Sequence, residues 1–212
     1  MKIIKAGYEI LTPINKDEIL KSIEIAGRTC YKSEDKITSD SASKFVKMLI
    51  GRGHEAMIEH QSFTVKFICD RGVSHEIVRH RIASYAQEST RYCNYSNDKF
   101  GNELTFIMPC FWEEEGVDDE KYHLWKLTCW TTEMNYLKLL EKGASAQEAR
   151  SILPNSLKTE IIVTMNLREW RHFFKLRTAK VAHPQMREIT IPLLKELKEK
   201  LPEIFEDIVL ED

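Results

Sequence analysis

From Asn15 to Arg28 the apolar residues Ile19, Leu20, Ile23 and Ala26 recur at helical spacing. The same period returns from about Ser41 to Ile50, where Gly51 and Gly53 end it. Ser62 to Cys69 follows a different rule. Phe63, Val65 and Phe67 alternate with Thr64 and Lys66, as in a strand with one buried face, and Asp70-Arg71-Gly72 reads as the turn that closes it. Val73 to about Ala83 is expected to be helical and the polar stretch from Ser84 to Asp98 a loop. Leu104 to Met108 reads as a short strand ended by Pro109.

The acidic run Glu113 to Glu120 reads as a solvated segment ahead of a long helix in which Leu127, Trp130, Met134 and Leu137 make an apolar stripe. Trp125, Trp130 and Trp170 are expected in the core or at subunit contacts. Gly143 ends that helix, and Ser145-Ala146-Gln147-Glu148 is a capping box that opens a shorter one, cut off at Pro154. Leu157, Thr159, Ile161, Val163 and Met165 then alternate as a strand. Asn166, with Glu169 three residues on, restarts a helix as far as Arg177. Pro184 begins the last helix, with Met186, Ile189, Leu193, Leu197 and Leu201 facing inward and Pro192 kinking it. Helices and strands mixed without regular βαβ alternation predict an α+β fold, a mixed sheet with flanking helices, in a single domain over residues 1–212.

Composition adds limits to this outline. At 42% hydrophobic and 30% charged the chain is ordinary globular material, and 212 residues are enough to build a core without disulfides or a structural metal. With 31 Lys+Arg against 33 Asp+Glu, the net charge of −2 argues against a protein that holds nucleic acid by a general positive field. Anion sites must be local clusters. Lys5 and Glu9 interrupt what would have to be the apolar core of a secretion signal, and no stretch approaches the length of a membrane span. The five cysteines include no Cys-x-x-Cys pair. Reduced thiols in a cytoplasmic protein without nucleic-acid or membrane partners are expected.

The eight glycines form neither a G-x-G-x-x-G nor a G-x-x-x-x-G-K-[ST] string, so a bound nucleotide would need side chains for its phosphates. Those side chains gather between His54 and Arg91, where His54, His60, His75 and His80 lie with Arg71, Arg79, Arg81 and Arg91. On a continuing helix Arg71, His75 and Arg79 share one face, whereas His80 and Arg81 point about 100° and 200° away from Arg79. The three serve one phosphate only if the helix ends there. His54 and His60 flank Glu55 and Glu59, but their i, i+6 separation does not put both rings on one helical face, and no metal site is expected. Ser84, Gln87, Ser89, Thr90, Arg91, Tyr92 and Asn94 follow in one turn-prone segment, a composition suited to wrapping a phosphate.

The string Arg79-His80-Arg81-Ile82-Ala83-Ser84-Tyr85-Ala86-Gln87-Glu88-Ser89-Thr90-Arg91-Tyr92 resembles the signature of the flavin-dependent thymidylate synthases: Arg-His-Arg, seven residues, then Ser-x-Arg-Tyr. Gly53-His54-Glu55 and Glu59-His60 upstream are similar to the segment before that signature. Ala149-Arg150-Ser151-Ile152-Leu153-Pro154, Asn166-Leu167-Arg168 and Leu176-Arg177 follow in the family's order. The resemblance covers roughly residues 50 to 190. It implies that Arg79, His80 and Arg81 hold FAD, helped by Asn166, Arg168 and His172, with His54, Glu59 and Gln87 also on the flavin side. It implies that dUMP is bound by Glu76, Arg79, Gln87, Ser89, Thr90, Arg91, Arg150 and Arg177. Arg177 would favour the N3-deprotonated pyrimidine. The implied reaction is reductive methylation of dUMP to dTMP with 5,10-methylenetetrahydrofolate and NADPH, in a homotetramer with shared active sites. Glu76 stands where the family commonly has glutamine, and Ala56 where threonine is frequent.

Two other readings use the same residues. A thymidylate synthase of the cysteine-nucleophile type needs a Pro-Cys dipeptide followed by His, but Pro109-Cys110 is followed by Phe111 and Trp112. A non-enzymatic nucleotide or nucleic-acid module could use the basic 54–91 region, with Tyr85, Tyr92 and Tyr95 as stacking platforms. The net charge weighs against it.

Overall fold

The computed structural model describes residues 1–112 and 120–210. In chain order the elements are β1 (Lys2–Ile4), β2 (Gly7–Ile10), α1 (Lys16–Tyr31), α2 (Ser41–Gly51), β3 (Ser62–Asp70), α3 (Arg71–Ile77), β4 (Ala83–Gln87), β5 (Thr105–Ile107), α4 (Glu120–Glu141), α5 (Ala146–Ala149), β6 (Lys158–Asn166), α6 (Leu167–Arg177), α7 (Pro184–Lys200) and α8 (Pro202–Phe205). Short 3-10 turns include Glu55–His60 and Arg150–Ile152. The α+β class expected from the sequence holds. β1 pairs in parallel with β5, Lys2 opposite Thr105 and Ile4 opposite Ile107, and a second sheet has the order β2-β3-β6-β4. Among the described residues no helix is long and apolar enough to cross a membrane, and the five cysteines carry no disulfide.

The chain divides into two compact units. The first is Met1–Gly7, Phe67–Arg79 and Ala86–Ile161; the second is Tyr8–Lys66, His80–Tyr85 and Ile162–Asp212. In the second unit Asn15 caps α1 by accepting from the Glu18 amide. α1 then packs closely on α2 at Gly27, where a Cβ would lie 2.6 Å from a ring carbon of Phe45. Trp170 of α6 lies flat on Phe63 of β3, with centroids 4.7 Å apart and planes 8° apart, and donates its indole N–H to the Phe63 carbonyl at 3.2 Å. The aromatic run continues through Phe174 to Phe205. Rings this large, fully buried, dominate the apolar contribution of a core. α7 buries Met186, Ile189, Leu193 and Leu197 as expected and runs through Pro192, and the fifth expected residue, Leu201, is buried just past its end as the C-cap.

The first unit closes around Tyr95, Leu104, Phe106, Cys129, Tyr136, Ala149 and Leu157. Buried Glu133 accepts from the Leu104 amide at 2.9 Å, so the carboxylate sits inside α4's packed face with a partner.

Three expectations need correction. Asp70-Arg71-Gly72 is not a free turn: the Asp70 carboxylate accepts from the Val73 amide at 2.7 Å and caps α3, which starts at once and ends at Ile77 rather than near Ala83. Part of the expected loop, Ala83–Gln87, is an edge strand, and because alternate residues on it are half-exposed it carries no hydrophobic period. On α4 the stripe Leu127, Trp130 and Met134 faces outward, each more than half exposed, while Tyr122, Cys129, Glu133 and Tyr136 are buried. That helix has apolar residues on both sides, so spacing alone did not choose the buried one. Most of the acidic run, 113–119, lies outside the described residues. β1, β2, α8 and the Glu55–His60 turn are too short to show a hydrophobic period in the sequence.

Candidate functional site

The helix does end before the Arg-His-Arg string. Val78 closes α3, the Arg79 amide reaches back to the Glu76 carbonyl at 3.2 Å, and Arg79, His80 and Arg81 follow in irregular backbone ahead of β4. Freed from helical geometry, successive side chains diverge: Arg79 and Arg81 are exposed and His80 is 4% exposed.

Within the second unit both ring nitrogens of His80 are engaged. Nδ1 lies 3.1 Å from the Glu169 carboxylate, and Nε2 lies 3.0 Å from Arg177 Nε. Phe173 and His172 meet the ring edge-on at 4.9 and 5.6 Å between centroids. The Tyr85 hydroxyl donates to the His80 backbone carbonyl. Burial, with Arg177 and His172 adding positive charge nearby, pushes the His80 ring down to about 4, so it is neutral at pH 7. Burial also pushes the Glu169 carboxyl above the ordinary carboxylate value, partly opposed by His172. It raises the Tyr85 phenol to about 12, with Glu169 adding and Arg177 opposing.

Donor atoms of His80, Glu169 and His172 lie within 4.8 Å of one another, a spacing a divalent cation uses. The Arg177 guanidinium, bonded to the same ring, sets positive charge there already. Protons satisfy the arrangement as it stands.

α6 builds the rest of this region. Asn166 caps it by accepting from the Glu169 amide at 2.9 Å, which fixes where Arg168 and His172 leave the helix. A cavity of about 520 Å³ is lined by Glu55, Glu59, Ile82, Asn166, Arg168, Glu169, His172 and Lys175. Arg168 binds Glu59 at 2.5 Å, while Glu55 binds Arg171 at 3.0 Å and Lys175 at 3.8 Å. The acids are thus matched by cations, and half-exposed Arg168 and Lys175 remain within reach of an anion. Ile82, 68% exposed at the same cavity, offers an apolar surface. Such a donor set fits a flavin nucleotide: cations for phosphate, an apolar contact for a ring. Glu59, Asn166, Arg168 and His172 therefore share one cavity. His54 does not; it lines a smaller one of about 260 Å³ with Gly27, Cys30, Leu49 and Ala56.

The first unit holds the other expected residues. Gln87 donates to Ser74 Oγ at 2.9 Å and Thr159 Oγ1 at 3.2 Å, so its amide nitrogen is tied inward. The loop after it is pinned by Glu88, which accepts from Tyr95 at 2.8 Å and binds Lys158 at 3.0 Å. Ser89 then turns the chain, its carbonyl accepting from the Tyr92 and Cys93 amides, and Thr90 is buried. Exposed Arg91 donates to Gln147 of α5 at 3.3 Å, and Arg150, also exposed, opens the 3-10 turn that follows α5.

Sequence reasoning missed Glu169, Tyr85, Glu88 and Arg171 as site-shaping residues. Glu169 was visible only as the third residue of a capped helix. Arg171, a buried cation bound to Glu55 and by two bonds to Asp207, had no local signal at all.

A family model described as thymidylate synthase complementing protein matches residues 14–203. The flavin-dependent thymidylate synthase of Pyrococcus furiosus is 38% identical over 175 residues, which is 82% of this chain and 70% of that protein. That of Geobacter sulfurreducens is 33% identical over 193 residues, covering 88% and 80%. That of Corynebacterium aurimucosum is 32% identical over 200 residues, covering 87% and 78%.

Proposed function

Because the chain belongs to the flavin-dependent thymidylate synthase family, we propose that it methylates dUMP to dTMP, using FAD as the flavin, 5,10-methylenetetrahydrofolate as carbon donor and NADPH as reductant. The observation that carries this reading is the bond between His80 of the signature string and Arg177, residues 97 apart in the chain. Members of the family are enzymes, and the alternative of a non-enzymatic nucleic-acid module finds no support in the family match.

In the second unit Arg81, Asn166 and Arg168 are the proposed flavin ligands, with Glu59 and His172 on the same cavity wall and His54 beside the smaller one. Arg168 would exchange Glu59 for a phosphate oxygen. Arg79 of the first unit is assigned to phosphate as well. The flavin, when bound and reduced, supplies the hydride that completes the methyl group. In the first unit Arg91 and Arg150 take the dUMP phosphate, with Ser89, Thr90 and Gln87 contributing hydrogen bonds and Glu76 at the edge of that set. Arg177 stabilises the N3-deprotonated pyrimidine, which raises electron density at C5, the carbon that gains the new bond.

The exposed apolar residues Leu124, Leu127, Trp130 and Met134 of α4 support self-association, which the proposed homotetramer requires. Sedimentation velocity at micromolar concentration should give four chains. Five cysteines without a disulfide support a cytoplasmic location. The decisive test supplies dUMP tritiated at C5 with methylenetetrahydrofolate and NADPH. Tritium release that requires both flavin and NADPH is expected; no bound flavin and no release would end the proposal.

A further inference from the structure

Glu169, Phe173 and Arg177 are spaced i, i+4, i+8 on α6 and form one stripe, and His80 lies along it. The ring nitrogens face the two ends of the stripe: Nδ1 toward Glu169 at 3.1 Å, Nε2 toward Arg177 Nε at 3.0 Å, with Phe173 meeting the ring edge-on at 4.9 Å between centroids. A guanidinium can only donate, so Nε2 must be bare to meet it. The single proton of the neutral ring then sits on Nδ1, where an ionised carboxylate accepts it. Both ends fix the same tautomer.

We propose that Glu169 is a positioning residue for the reaction: through the Nδ1–H tautomer of His80 it presents a bare Nε2 that holds Arg177 in its working orientation. Resting on the role assigned to Arg177 above, this gives the histidine of the signature string a different task from its flanking arginines. Those are exposed and available to phosphate, whereas His80 is buried with both nitrogens committed. A ring in the Nε2–H form would turn a proton toward the Arg177 donor, and the guanidinium would swing away. Glu169 does not reach the helix start as a capping-box acid would. Its backbone serves the Asn166 cap while its carboxylate is spent on His80.

Long-range 1H–15N NMR of the full chain, free of flavin and labelled with 15N-histidine, reads the tautomer directly; His80→Gln assigns the signal. A protonated Nδ1 and bare Nε2, unchanged down to about pH 5, is expected. In Glu169→Leu the ring should become a mixture of tautomers, and kcat at saturating dUMP should fall by about tenfold to hundredfold, the usual penalty for a misplaced group. KM for dUMP should move much less. Glu169→Gln, whose amide oxygen still accepts, should recover most of both. An Nε2–H ring in the unaltered protein overturns the proposal even if Glu169→Leu fails to fold; an unchanged tautomer and kcat in Glu169→Leu does so as well. Full turnover in Arg177→Ala would remove the role of Arg177 while leaving the tautomer result standing, so the two failures are separable.

Discussion

In the second unit Arg177 ends on a buried histidine that is itself held by a buried carboxylate; in the first, Arg91 and Arg150 are exposed, and Arg91 is steadied by an amide oxygen at 3.3 Å. A guanidinium fixed in advance acts where charge develops during reaction, and its loss registers in kcat. One that lies loosely at the surface can turn toward an arriving phosphate, and its loss registers in KM. The same residue type is thus put to two uses by the burial of its partners. Preorganisation needs a buried polar network, while capture of a dianion does better with cations that stay hydrated until it arrives.

The contrast breaks most sharply at Arg177. Arg177→Ala should lower kcat by about 100-fold to 1,000-fold, the usual cost of losing one donor aimed at developing charge, while flavin absorbance is retained. A variant that instead raises only KM would erase the distinction between the units. The double change Arg91→Ala with Arg150→Ala should raise KM for dUMP by about 10-fold to 100-fold, in line with losing charge-assisted bonds, and leave flavin content and kcat nearly unchanged. Steady-state kinetics over a dUMP series decides it.

Smaller effects sharpen the picture. Glu88→Gln loosens the loop that carries Ser89 and Arg91 by weakening its contacts with Lys158 and Tyr95, and should lower stability by about 1 kcal/mol and Tm by about 2–4 °C. A further effect is a matter of pH. His80 is depressed to about 4 when folded and returns to about 6.5 when unfolded, so between these values the unfolded chain binds the extra proton. Stability from the neutral ring is full above pH 6.5 and declines as pH falls toward 4. Urea melts at pH 7 and pH 5 should show a smaller loss for His80→Gln than for the unaltered chain.

Much of this was readable in the chain before any coordinates. The alternation at Phe63, Val65 and Phe67, and again from Thr159 to Met165, marks strands with one buried face, and the Asn166 cap marks the start of α6. Arg79-His80-Arg81 pointed to the family by its spacing. What stayed hidden depends on partners far away in sequence. β4 is an edge strand with exposure on alternate residues and no period to read, and α4 offered two apolar sides of similar strength. The link from Glu169 to His80 spans 89 residues, and no local rule connects a helix-start glutamate to a histidine at that distance. Even the burial of His80 ran against expectation, because flanking arginines make a histidine look like one more phosphate ligand.

The close approach at Gly27 has a consequence for how this protein can drift. A methyl group there would meet the Phe45 ring at 2.6 Å, and the glycine also lines the small cavity that His54 enters. In a saturation library, position 27 should tolerate almost nothing, whereas its neighbour Ile25, on the open side of the same helix, should accept most residues. Two positions half a turn apart would thus evolve at very different rates, and the slow one would be slow for want of space rather than for any chemistry of its own.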